Sequence, residues 1–97
     1  MKNKIKGYIN LAKKSKNILL GFDKIKDKII DVKIVISSNQ ASAKLTKELN
    51  YYCTKYNIEL LLISHEELYF YTDILNCKVI AITDEGIANQ IKKLIKE

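Results

Sequence analysis

Ninety-seven residues, 47% hydrophobic and 29% charged, with three glycines and no proline, describe one folded domain spanning residues 1–97 without a linker. The net charge is +6, and no apolar run reaches the length of a bilayer span. The basic N-terminus lacks the apolar core of a signal peptide, so a cytoplasmic location is expected.

All seventeen basic residues are lysine. Residues 1–33 hold ten lysines against three aspartates, and residues 34–97 hold seven lysines against eight acids. A basic end on a nearly neutral body is the electrostatic footprint of nucleic-acid binding. The plain alternative is that amphipathic surface helices simply carry lysine.

In chain order, Ile5, Ile9 and Ala12, with Tyr8 and Leu11 beside them, have helical spacing. Asn17 to Leu20 predicts a short strand. Gly21 ends it and opens a second helix with Phe22, Ile25 and Ile29 on its apolar face. A βαβ unit follows: strand Lys33–Ser37, polar turn Ser38-Asn39-Gln40, helix Ala41–Tyr56, strand Ile58–Ile63. Both strands are apolar on both faces, as in a parallel sheet covered by helices. Ala41, Leu45, Leu49, Cys53 and Tyr56 form the stripe of the central helix.

Ser64 and Glu67 read as a capping box for a fourth helix, with Leu68, Tyr71 or Thr72, and Leu75 inward. Lys78–Ile82 is the last strand, and Thr83 caps a final helix that buries Ile87, Ile91, Leu94 and Ile95. Strict alternation predicts a three-layer α/β/α sandwich. Ile34, Ile36, Leu45, Leu49, Leu60, Leu62, Ile80 and Ile82 are the expected core.

Catalytic chemistry has no positive signal. His65, the lone histidine, is expected to be a solvated helix-start residue. Cys53 and Cys77 are too few for a zinc site, and Cys53 reads as a buried inert thiol. No phosphate-cradling glycine motif occurs. The expectation is a non-enzyme that needs no metal or cofactor. The Gly21 junction stands out instead. Glycine there permits close approach, and Lys24 and Lys28, spaced i, i+4, with Lys26 nearby, offer a phosphate-contacting surface.

Four stretches carry a family likeness: Ile9–Ser15; Gly21; Ile34–Ser42 with Lys47, Cys53 and Tyr56; and Val79–Ala88. Together they resemble the kink-turn RNA-binding proteins of the L-seven-Ae/L-thirty-e ribosomal type, most of all the small bacterial YlxQ-like members. The resemblance implies a four-stranded mixed sheet whose last strand inserts antiparallel between the first two. It implies structured RNA of kink-turn type as partner, ribosomal RNA among the candidates, bound by a monomer. The helix led by Gly21, Phe22, Asp23 and Lys24, with Lys28, would contact the kink. Ser38, Asn39, Gln40, Leu75 and Asn76 would border a flipped-out nucleotide, and Lys13, Lys14 and Lys16 would add charge. This chain departs from the family's Gly-x-Asn-Glu-x-x-Lys pattern: Asp23 stands at the asparagine, Lys24 at the glutamate and Asp27 at the lysine. Tyr69 and Asp73 replace the glycines of the fourth-helix pattern. The competing reading is a relative that keeps the fold and serves as a protein-interaction module. Lysines converging on Gly21 would favour RNA; an exposed apolar patch near Tyr69–Tyr71 would favour a protein.

Overall fold

The computed structural model describes residues 2–97. Its elements are α1 (Lys2–Lys14), β1 (Ile18–Leu20), α2 (Phe22–Asp27), a 3-10 turn (Ile29–Asp31), β2 (Ile34–Ser38), α3 (Ala43–Lys55), β3 (Glu59–Ile63), α4 (His65–Thr72), β4 (Val79–Ile82) and α5 (Glu85–Lys96). The strands form one sheet in the order β1-β4-β2-β3. Only β2 and β3 are parallel. β4 runs antiparallel to both neighbours, pairing Ile80 with Leu20 and with Ile36. This is the mixed four-stranded sheet that the family resemblance implied, and the parallel pairing read from the apolar strands of the βαβ unit holds for β2 and β3. A strand apolar on both faces needs helices on both sides, whichever way its neighbours run.

Alternation along each strand divides the core in two. Ile34, Ile36, Leu61, Ile63, Ile80 and Ile82 face α1, α4 and α5. Val35, Val79 and Ala81 face α2, the 3-10 turn and α3 through Ile25, Ile29, Leu49 and Cys53. This is the expected three-layer sandwich. Leu62 is a correction to the expected core: it is 63% exposed. β3 is an edge strand, and its second face is covered only as far as Ile58 and Leu60. Leu45 and Leu60 are half-buried, not fully enclosed.

Helix ends are set by local hydrogen bonds. α1 closes with Lys16 in the left-handed region (φ 60°). Asn17 N–H donates to Ala12 O at 2.7 Å and Lys16 N–H to Lys13 O at 3.3 Å, which is a Schellman closure. α3 ends the same way around Asn57, φ 56°. Its start is two residues later than periodicity suggests, because the Ser42 hydroxyl accepts from Leu45 N–H. α5 is capped by Asp84, not Thr83: Asp84 Oδ2 accepts from Ile87 N–H at 2.8 Å, and Thr83 instead donates to Asn17 Oδ1. At α4, Ser64 Oγ accepts from Glu67 N–H and donates back to Glu67 Oε1.

Two thiols test this packing. Cys53 is buried, and burial pushes its thiol up to about 11. Cys77 is half-buried, with its thiol raised chiefly by burial. The thiolate is the reactive form. At mildly alkaline pH a disulfide reagent should therefore modify the Cys53→Ala variant, through Cys77, well before the Cys77→Ala variant, through Cys53. Equal rates would mean that α3 does not shield its inner face.

Candidate nucleic-acid interface

The sheet has two ends, and the residues selected from sequence divide between them. At one end lie the exit of β1 at Gly21, the exit of β2 at Ser38, the exit of β3 at Ser64 and the start of β4 at Val79. Register places them together. Gly21 N–H donates to Val79 O at 3.1 Å and Ser38 N–H to Lys78 O at 2.7 Å. At the other end lie Asn17, Lys33 and Thr83.

Gly21 has φ 92° and ψ 154°, a combination that L side chains avoid. A Cβ built there meets nothing within 4 Å. The glycine is therefore required by its backbone angles and not by crowding within the protein, and the space above it is open. Phe22 is half-buried and Asp23 and Lys24 are exposed in the first turn of α2.

Beside this junction the β2–α3 turn, the start of α4 and the α4–β4 loop are joined through His65. Its Nε2 lies 2.8 Å from Leu75 O and its Nδ1 lies 3.1 Å from Ser38 Oγ. A carbonyl only accepts, so Nε2 donates to Leu75 O, and the Ser38 hydroxyl is the partner of Nδ1. Ser38 Oγ also accepts from Gln40 N–H at 3.0 Å, and His65 N–H donates to Asn39 Oδ1 at 3.3 Å. The expected solvated histidine is thus the tie between the two loops. Sequence gave no sign of this, because its partners lie 10 and 27 positions away. His65→Ala leaves the buried Ser38 hydroxyl short of a partner and frees Leu75. It should cost roughly 1–3 kcal/mol of stability in urea unfolding and speed amide exchange in the α4–β4 loop. Unchanged exchange there would show that the loop is held by other contacts.

Several expected contacts are redirected. Ser38 is fully buried, so its side chain holds the turn and is not offered to a ligand. Asn39, Gln40, Leu75 and Asn76 are exposed at this end. Lys13 does not project freely; its ammonium donates to Thr72 O at the C-terminal end of α4, where a cation complements the helix dipole. Lys6 does the same at Phe70 O (2.9 Å) and pairs with Asp73 at 3.0 Å. Lys14 is exposed in the last turn of α1.

The lysines do not all converge on Gly21. Lys24 lies in the first turn of α2, and Lys28, one turn on and hydrogen-bonded through its N–H to Lys24 O, reaches towards the end of the sheet where Asn17, Lys33 and Thr83 lie. There Lys16, Lys28 and Lys33, with Asn17, Leu19, Asp31 and Thr83, line an open cleft of about 510 Å³. Lys24 and Lys28 keep their i, i+4 spacing, and Lys28 also lines this cleft. Tyr69 and Phe70 are 45% and 40% exposed, while Tyr71 is buried. Among the described residues no group of His, Cys, Asp and Glu is placed to hold a metal ion, and no helix is long and apolar enough to cross a membrane.

No protein-family model and no curated protein matches the chain. Solved structures do. A protein of unknown function from Bacillus halodurans superposes with a TM-score of 0.85 at 24% identity, over 97% of this chain and 98% of that one. A 15.5 kD RNA-binding protein from Giardia lamblia superposes with a TM-score of 0.74 at 15% identity, over 98% of this chain and 81% of that one. At these identities the likeness is one of fold, and the fold fits the L-seven-Ae/L-thirty-e type.

Proposed function

We propose that this chain is a non-enzymatic RNA-binding protein of the cytoplasm, acting as a monomer on kink-turn or similarly bent structured RNA. A YlxQ-like role on ribosomal or regulatory RNA is the form this reading takes. The observation that carries it is the Gly21 junction. An open, side-chain-free backbone turn stands at the sheet end where the Asn39–Gln40 turn and the Leu75–Asn76 loop are tied together by His65. The fold shared with the Giardia lamblia RNA-binding protein supports the same reading. Loops that present open backbone and exposed amides suit an unstacked nucleotide, and nearby lysines supply phosphate contacts. With Asp23 and Lys24 at the family's asparagine and glutamate positions, recognition rests more on shape and charge than on base reading.

Titration against a kink-turn RNA, with a straight duplex of equal length as control, tests this. The bent RNA should bind more tightly. Its affinity should fall with salt at a log–log slope of roughly −0.7 to −0.9 per phosphate neutralised. Equal binding of both RNAs, or binding insensitive to salt, would count against it. The exposed Tyr69 and Phe70 favour a second reading, a protein-interaction module. That reading takes the lead if neither RNA binds.

A further inference from the structure

Leading away from the Gly21 junction, α2 and α3 carry a run of aromatic rings and ammonium groups that core packing only partly uses. Phe22 and Tyr52 lie 5.8 Å apart, tilted by 60°, and Tyr52 and Tyr51 lie 5.2 Å apart, edge to face. Lys26 Nζ stands 5.4 Å from the Phe22 ring, and Lys55 Nζ stands 5.8 Å from Tyr51 and 5.5 Å from Tyr56. The six side chains form one continuous strip from the start of α2 to the end of α3.

Tyr52 and Phe22 are half-buried and have packing roles beside Leu49 and Cys53. Tyr51 and Tyr56 do not: they are 59% and 39% exposed. Edge-on pairing leaves ring faces unstacked, and neither Lys26 nor Lys55 is in an ion pair among the described residues. The stretch Tyr51–Tyr56 contains a lysine and no acid. Exposed rings bordered by ammonium groups outside any ion pair match the two demands of unpaired nucleic acid, a π-face for bases and cations for phosphates. An apolar protein partner would leave the lysines unsatisfied.

We propose that this strip is a stacking platform for a single-stranded RNA segment adjoining the structured RNA bound at the Gly21 junction. It rests on the RNA-binding reading and extends it, since Phe22 belongs to both surfaces. A strand leaving the junction over Phe22 would run along Tyr52 and Tyr51 towards Tyr56. Lys26 and Lys55 would then swing from the rings to phosphates.

The test uses three RNAs: a blunt kink-turn, the same RNA with an unpaired 3′ extension, and a short oligouridylate. The parent protein should bind the extended RNA more tightly than the blunt one, and should bind the oligouridylate. Tyr51→Ala should weaken oligouridylate binding about five- to a hundredfold and erase the gain from the extension, with blunt RNA unaffected. Tyr51→Phe, which keeps the ring, should retain both. Lys24→Glu should weaken the blunt RNA and spare the oligouridylate. Tyr51 is exposed, so its replacement leaves the core alone. The platform is overturned if Tyr51→Ala binds the extended RNA and oligouridylate as the parent does. It is equally overturned if the parent gains nothing from the extension and ignores the oligouridylate. In both cases the blunt-RNA titration still judges the Gly21 site by itself.

Discussion

Gly21→Glu should weaken binding of a bent RNA by at least about tenfold, equivalent to about 1.4 kcal/mol. Two effects combine. A carboxylate enters the open space above the junction, where phosphates are expected. An L side chain is also strained at φ 92°, by about 1–3 kcal/mol. Gly21→Ala separates them, since it carries the strain without the charge and should lower stability more than affinity. Lys24→Glu carries the charge change without the strain, on an exposed helical position. Asp27→Lys restores a basic residue at the exposed end of α2 and should tighten binding. It should also steepen the salt slope by about 0.7–0.9. Circular dichroism checks folding of each variant. If Gly21→Glu folds and binds like the parent and Asp27→Lys gains nothing, this end of the sheet is not the RNA site. The protein-interaction reading then leads.

Ile80→Ala should lower the free energy of unfolding by about 2–5 kcal/mol. That is a large share of the 5–15 kcal/mol typical of a whole domain. Ile80 has no exposed surface and sits on β4, between β1 and β2. Its truncation opens a cavity in the buried cluster it shares with its β2 partner Ile36 and with Ile9, Leu68 and Ile91. Leu62→Ala should cost no more than about 0.5 kcal/mol, because the side chain is already in water. The pair separates structure from composition, as both residues are apolar and sit in apolar strands. Urea unfolding of the two variants decides it. Comparable losses at both positions would show that Leu62 is covered by something other than this chain's own helices.

Sequence and structure contribute different parts of this account. Periodicity located nine regular elements in order and the buried face of most helices, because each helix must hide one stripe. Ile5, Ile9, Ile25, Leu49, Leu68, Ile87 and Ile91 were legible for that reason. Gly21 was legible as a strand-to-helix junction. Capping was legible where a side chain reaches three residues ahead, as at Ser64. Strand direction and neighbours were not, since they depend on non-local pairing that leaves no period in the chain; the antiparallel insertion of β4 came only from the family resemblance. The exposure of Leu62 follows from β3 being an edge. The burial of Ser38 and the bridging role of His65 follow from three loops meeting at one sheet end. The lysine-rich first third set the charge by itself, but not its placement. The αL closure at Lys16 and the end of α2 bring Lys16 and Lys28 to one cleft with Lys33, and the packing of α1 against α4 turns Lys13 to a helix carbonyl. Composition fixes how much charge a chain carries, and only the folded path of the backbone decides which charges share a surface.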